Sequence, residues 1–250
     1  MKKALNYFLF CRRFSLSSTS SKKVQPNSKV KGSSYEWLSR QLSDPFVERA
    51  KRHNYRCRSA FKLIEIDDKF KIMKPGDTVI DCGASPGSWT QVAVQRVNSD
   101  GFKKTEPQGI VVAIDRQLIY PIEGATIFGN SDFTDPNCQE RLLNFLNGRT
   151  VDSVISDMAP NATGVKVLDT ENIIKLCYSA LKFALKISNE GGSVLVKLWQ
   201  CGQTKQLQTD MERFYENVRV VKPSASRADS AEIFLLARGF KGLKTDQKGS

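Results

Sequence analysis

The sequence predicts an α/β domain built on a mostly parallel sheet of seven strands, and three observations carry that prediction. Apolar runs of strand length alternate with stretches of helix length along the body of the chain. Acidic residues close three of the runs, at Asp81, Asp115 and Asp157. A glycine turn, Asp81-Cys82-Gly83-Ala84-Ser85-Pro86-Gly87-Ser88-Trp89, leads from the first strand directly toward a helix. In open α/β sheets ligands bind beyond the carboxyl ends of the strands, where such a turn lies.

The elements follow in order. Residues 33–70 read as helical, with Tyr35, Trp37, Leu38 and Leu42 as a first apolar face, and Pro45 breaks the stretch. A second helix covers 59–70, with Phe61, Ile64 and Ile66 apolar. Residues 78–81 form the first strand and 90–97 the helix after it. Residues 98–108 are polar and read as a surface loop. Strands at 109–115 and 125–128 precede a helix at 141–146. A strand at 151–157 leads to a long helix at 171–187, with Ile174, Leu181 and Leu185 on its apolar face. Gly191-Gly192 is expected to cap that helix. The buried strand 193–198, the helix 205–215 and two last strands, 218–221 and 232–237, complete the domain, the last two joined by a loop containing Pro223. Residues 241–250 read as a flexible tail, and no internal repeat is visible.

With 40% apolar and 26% charged residues the 250-residue chain has the balance of a soluble domain, and no apolar run approaches the roughly 18 residues of a membrane span. The six cysteines are scattered without a C-x-x-C pair, and one histidine leaves a zinc site short of ligands, so no metal is expected. Such cysteines read as small buried apolar residues of a reducing compartment. The net charge is +12, but residues 1–31 hold eight lysines and arginines and no acid, which leaves four net charges for everything after them. Leu5, Phe8 and Leu9 share a helical face there, ringed by Lys2, Lys3, Arg12 and Arg13 and followed by a serine-rich run. An amphipathic, basic, acid-free start is the signature of a mitochondrial transit peptide. A secretory signal, or a basic arm that touches RNA, is the rival reading.

The glycine turn excludes two familiar sites. Gly83-Ala84-Ser85-Pro86-Gly87 matches G-x-S-x-G, but a hydrolase elbow needs a histidine after the serine, and His53 precedes it. The dinucleotide fingerprint needs G-x-G-x-x-G, which the spacing here does not supply. No P-loop lysine motif is present to hold a triphosphate. With Asp81, Asp115 and Asp157 at strand ends and Asp132 just past the third strand, a nucleoside without phosphates fits best, and S-adenosyl-L-methionine is its usual form in such a sheet. Any one of these acids alone would read as a turn or helix cap. Lys197, near the end of an apolar strand, Glu232, at the start of the last one, and Lys62, inside Phe61-Lys62-Leu63, would each be unremarkable surface charges if taken singly.

Together these residues resemble the FtsJ-type RNA ribose 2'-O-methyltransferases. The matching segments are Arg58-Ser59-Ala60-Phe61-Lys62-Leu63, Asp81 to Trp89, Val112-Ala113-Ile114-Asp115 and Ser156-Asp157-Met158-Ala159-Pro160-Asn161. They continue with Val196-Lys197-Leu198-Trp199, Lys222-Pro223-Ser224-Ala225-Ser226-Arg227 and Ser230-Ala231-Glu232. The resemblance spans about residues 50–238 and is strongest to the mitochondrial large-subunit rRNA branch; residues 156–164 point to the rRNA branch over the tRNA and cap branches. Ser85 departs from the family's alanine.

The resemblance implies a Rossmann-like methyltransferase domain over 32–240 that acts on a ribose, in a uridine of the peptidyl-transferase region, of mitochondrial large-subunit rRNA during ribosome maturation in the matrix. It implies a catalytic set of Lys62, Asp157, Lys197 and Glu232. It places Gly83, Pro86, Gly87, Ser88, Trp89, Asp115, Asp132 and Asp157 around S-adenosyl-L-methionine, with Asp115 on the ribose and Asp132 on the adenine edge. A ribose hydroxyl must lose its proton as it attacks the methyl, and Lys197 would take it. A free lysine has a pKa near about 10.4, so burial and the second cation, Lys62, are expected to lower it toward the working pH. Arg49, Lys51, Arg52, Tyr55, Arg56 and Arg58 read as an RNA-contacting rim, with Tyr55 as a stacking platform; a solvated basic helix face is the alternative. A monomer is expected. A non-catalytic rRNA-binding assembly factor, and a methyltransferase for another RNA such as tRNA, remain as rival functions.

Overall fold

The computed structural model describes residues 43–243. The basic segment 1–31, the helix expected from residue 33 to 42 and the tail from residue 244 lie outside them. Of the described residues, 45–243 group as one compact unit. Among the described residues no helix is long and apolar enough to cross a membrane.

The elements are α1 (Pro45–Arg52), α2 (Ala60–Phe70), β1 (Thr78–Cys82), α3 (Ser88–Val97), β2 (Ile110–Ile114), β3 (Ala125–Phe128), α4 (Pro136–Leu146), β4 (Val151–Ser156), α5 (Lys166–Ile187), β5 (Ser188–Trp199), α6 (Thr204–Glu212), β6 (Tyr215–Val221) and β7 (Glu232–Phe240). One seven-stranded sheet runs in the order β3-β2-β1-β4-β5-β7-β6. β7 is antiparallel to both of its neighbours, and the other pairings are parallel. The strand order reverses between β1 and β4, so a crevice opens beyond their carboxyl ends.

The strands β1 and β2 are apolar almost throughout because both faces of the sheet are covered. One core layer joins Val194, Val196 and Leu198 of β5 to α4, α5 and α6. The other joins Val79, Val111, Ile155 and Leu195 to α2 and α3. Alternation along β5 therefore aims Leu195, and with it Lys197, toward the α2–α3 side.

The expected break at Pro45 is present: Ser43 is helical, Asp44 is not, and Pro45 opens α1, the position where its missing N–H costs nothing. Three details differ from the sequence reading. Helix α4 begins at Pro136, not at 141, because Asp135 caps it by accepting from the Asn137 N–H. Gly191-Gly192 does not cap α5. The helix ends at Ile187, and the two glycines lie within β5, where the register against β4 shifts between Val151 and Ser153. The segment that follows α6 becomes strand at Tyr215, whose ring packs on Phe240 of β7.

Candidate active site

The glycine turn and the segment after β4 are in close contact. Gly83 has φ +77°, and a Cβ there would lie 2.5 Å from Met158 Cγ and 2.8 Å from Met158 Cα. Only glycine lets the two loops meet at this distance. Gly87, at φ +110°, opens α3, and a side chain there would strike Ile122 and Arg56. Asp115, at the end of β2, accepts from the Ser85 N–H (2.9 Å) with one oxygen and from the Gln117 N–H (2.7 Å) with the other. Asp132 accepts from the Thr134 N–H and hydroxyl. Burial raises its pKa, the two Thr134 bonds and Arg116 lower it, and the net result lies below the usual carboxylate range.

A cavity of about 620 Å³ opens between these loops, and its wall includes Gly83, Asp115, Asp132, Asp157 and Met158. Three carboxylates beside an apolar floor suit a hydroxyl-rich nucleoside that carries positive charge. Two of the residues expected to line the methionine side point elsewhere. Ser88 is buried with its hydroxyl 3.0 Å from Cys57 Sγ. Trp89 is also buried: its indole N–H donates to the Ser59 carbonyl, and its ring packs on Phe234. Their side chains hold the floor of the site instead of lining the cavity. Asp81, which the sequence groups with the strand-end acids, is fully buried at the end of β1 and accepts from the Thr90 hydroxyl at 2.7 Å. Burial pushes its pKa up to about 7 against the pull of Thr90, and Asp157 and Asp115 push the same way.

The four residues Lys62, Asp157, Lys197 and Glu232 form two ion pairs. Lys197 Nζ lies 3.0 Å from Asp157 Oδ1 and donates to the Asp157 carbonyl oxygen. Lys62 Nζ lies 2.7 Å from Glu232 Oε2. All four side chains are largely buried. The β5–β7 pairing sets Lys197 opposite Phe234 and Trp199 opposite Glu232, so Lys197 and Glu232 are diagonal neighbours on one face. Lys62 reaches them from α2 with its ammonium 5.9 Å from the Phe234 ring centroid. Burial raises the Asp157 pKa, but Lys197, Lys62 and the Ser59 hydroxyl lower it further, so the carboxyl is held below its ordinary range.

Three supporting residues carried no signal of their own in the sequence. Ser59 donates to Asp157 Oδ2 at 2.6 Å. Ser226 donates to Glu232 Oε1 at 2.8 Å. Glu65 accepts from the Ser224 N–H and hydroxyl and from the Ala225 N–H, while Arg58 donates to the Ala225 carbonyl. The 222–227 segment is thereby tied to α2 and delivers Ser226 to Glu232. Its place in the family motif was legible, but its partners were not, because Glu65 and Ser224 are 159 residues apart in sequence.

The expected RNA rim divides. Arg56 donates to the carbonyls of Pro86, Tyr120 and Pro121, which clamps the glycine turn to the 120–122 loop. Arg58 is engaged with Ala225 and with the Phe46 ring. A phosphate would have to compete with these bonds, so both residues are positioning groups here. Arg49 lies over the Phe61 ring, Arg52 pairs with Glu48, and Lys51 is exposed. Tyr55 donates to Gln95 and meets the Phe61 ring edge-on. The serine hydrolase reading also fails in space: the His53 ring rests on Tyr55 and Phe61, and the hydroxyl of Ser85 faces Gln117.

The FtsJ-like methyltransferase family model matches residues 55–240. The chain belongs to this family. It is 57% identical to the mitochondrial rRNA methyltransferase 2 of Drosophila melanogaster, across 88% of this chain and 89% of that one. It is 47% identical to a ribosomal RNA large subunit methyltransferase E of Cereibacter sphaeroides, across 86% and 87%. Among solved structures, a ribosomal RNA methyltransferase of Plasmodium falciparum matches with a TM-score of 0.65 at 30% identity, covering 76% of this chain and 100% of that one. The matched region contains both ion pairs and the cavity wall.

Proposed function

We propose that this methyltransferase uses S-adenosyl-L-methionine to methylate a ribose 2'-hydroxyl of large-subunit rRNA in the mitochondrial matrix, at a uridine of the peptidyl-transferase region. The observation that carries the reading is the pair of buried lysine–carboxylate contacts at the edge of an acid-lined cavity. The rRNA and mitochondrial parts rest on the names of the relatives and on the basic, acid-free start of the chain.

Asp115, Asp132 and the backbone of Gly83, Pro86 and Gly87 would hold the cofactor, which when bound supplies an electrophilic methyl group on a sulfonium. Lys197 takes the hydroxyl proton at Nζ in its neutral form. Asp157 orients that nitrogen through its carboxylate and its carbonyl, and Ser59 holds the carboxylate in turn. Lys62, held by Glu232 and Ser226, places a second positive charge beside the oxygen as it loses its proton. Fixed alignment of the reacting atoms supplies the remaining acceleration.

A map of 2'-O-methylation across mitochondrial RNA, made with and without the protein, tests the reading. One rRNA position should lose its methyl group. An unchanged map would favour a non-catalytic assembly factor, and loss at a tRNA position would redirect the substrate.

A further inference from the structure

A second groove, of about 700 Å³, lies along α2 and α3 apart from the cofactor cavity, and shares no wall residue with it. Its wall carries five cations and two acids, and the acids are already paired. Asp67 meets Arg96 at 3.1 Å, and Glu106 meets Lys103 at 3.0 Å. Arg49, Lys71 and Lys74 are the surplus, with no salt bridge to any of the described residues. Lys71 and Lys74 are exposed and lie on a loop that the sequence reading did not connect with RNA.

The groove also contains His53, the one histidine of the chain. Its ring is exposed, and it is stacked on Tyr55 with centroids 6.5 Å apart and planes inclined by 27°. Phe61 meets it edge-on at 6.3 Å. Tyr55 is itself fixed by its bond to Gln95. An exposed flat ring backed by rigid aromatics, with unpaired cations around it, is a base-stacking shelf beside a phosphate track. Phe61, on the groove wall, and Lys62, in the ion pair with Glu232, are consecutive residues of α2, so one helix connects the groove with the lysine–carboxylate pairs.

Building on the proposed RNA substrate, we infer that this groove holds a single-stranded stretch of the RNA, with one base stacked on His53 and its phosphates on Arg49, Lys71 and Lys74. The groove moves the RNA contact from Arg56 and Arg58, which the fold uses internally, to Arg49 and His53 before them and to Lys71 and Lys74, 13 to 18 positions further along the chain.

The test uses the full-length protein and a transcript of mitochondrial large-subunit rRNA. Lys71→Glu combined with Lys74→Glu should weaken transcript binding about tenfold and flatten the log–log salt dependence by roughly 2. Unchanged S-adenosyl-L-methionine binding would show that the variant is folded. His53→Ala should lose about fivefold or more in transcript affinity, and His53→Phe should restore it, since stacking needs only the ring. Because the chain has one histidine, carbethoxylation by diethyl pyrocarbonate, followed by mass spectrometry, reports the shelf directly. Bound transcript should protect His53. Equal affinity in the lysine variant, or an unprotected His53 in the bound complex, overturns the inference. Protection by polyglutamate as strong as by RNA would assign the groove to an acidic protein segment and overturn it as well. If the wild-type chain neither binds nor methylates the transcript, the functional reading itself falls; if it methylates and the variants match it, only the groove assignment falls.

Discussion

The acid-lined cavity and the two lysine–carboxylate pairs are adjacent, yet they are assembled by opposite means. The cavity is built largely through backbone: Gly83 against the Met158 backbone, Asp115 on the N–H groups of Ser85 and Gln117, Asp132 on Thr134 two residues away. The lysine–carboxylate pairs are held by side chains that meet across 40 to 170 residues of sequence. The cavity tolerates little change in backbone shape. The pairs tolerate little change in side-chain identity. The two strand-end acids at the reversal of the sheet show the same division: Asp81 is buried with one hydroxyl partner and is pushed toward its neutral form, while Asp157 is surrounded by cations and kept ionised.

The largest effect that would separate the two regions is Lys197→Ala. It should reduce methyl transfer by about 10²- to 10⁴-fold, the usual contribution of a general base, and leave cofactor affinity within about twofold. Single-turnover transfer and calorimetry on the same protein check both halves. Full activity would remove Lys197 from the proton path.

Asp81→Asn addresses stability. A carboxyl whose folded pKa is raised from 3.8 to about 7 stabilises the fold fully below pH 3.8 and loses that contribution as the pH rises to about 7. About three pK units correspond to at most ~4 kcal/mol. Urea midpoints should therefore fall across that window in the wild type and fall less in the variant. Asp157 works with the opposite sign: its depressed pKa adds stability above pH 3.8 that is lost as the pH falls through the folded value. Identical slopes for the two proteins would show that Asp81 is ionised throughout.

Gly83→Ala should break the cavity and not the pairs. The added Cβ meets backbone atoms of Met158, which cannot swing aside, and φ is positive. A stability loss of about 2 to 3 kcal/mol is expected, together with weaker cofactor binding; a variant with wild-type melting temperature and cofactor affinity would show that the two loops can part. The smallest effect is expected for Glu65→Ala, which frees the 222–227 loop from α2 and so loosens Ser226 on Glu232. Turnover should fall about tenfold with cofactor affinity retained, since hydrogen bonds to a charged group contribute about 1.5 kcal/mol or more. Turnover equal to wild type would make the loop anchor dispensable.

The sequence by itself determined the α/β class, the seven strands, the glycine turn and the identities of the four charged residues, because strand burial and tight turns impose local periodicity and residue type. Element ends were less legible where caps or bulges decided them, as at Asp135 and at Gly191-Gly192. The tertiary structure alone decided which lysine met which carboxylate, that Ser59 and Ser226 support the acids, that Arg56 and Arg58 serve the fold, and that His53 joins Lys71 and Lys74 in one groove. Those outcomes depend on the order in which strands pair and on the helices that cover them. A side chain's local sequence specifies its direction, but only the packed sheet specifies what it meets.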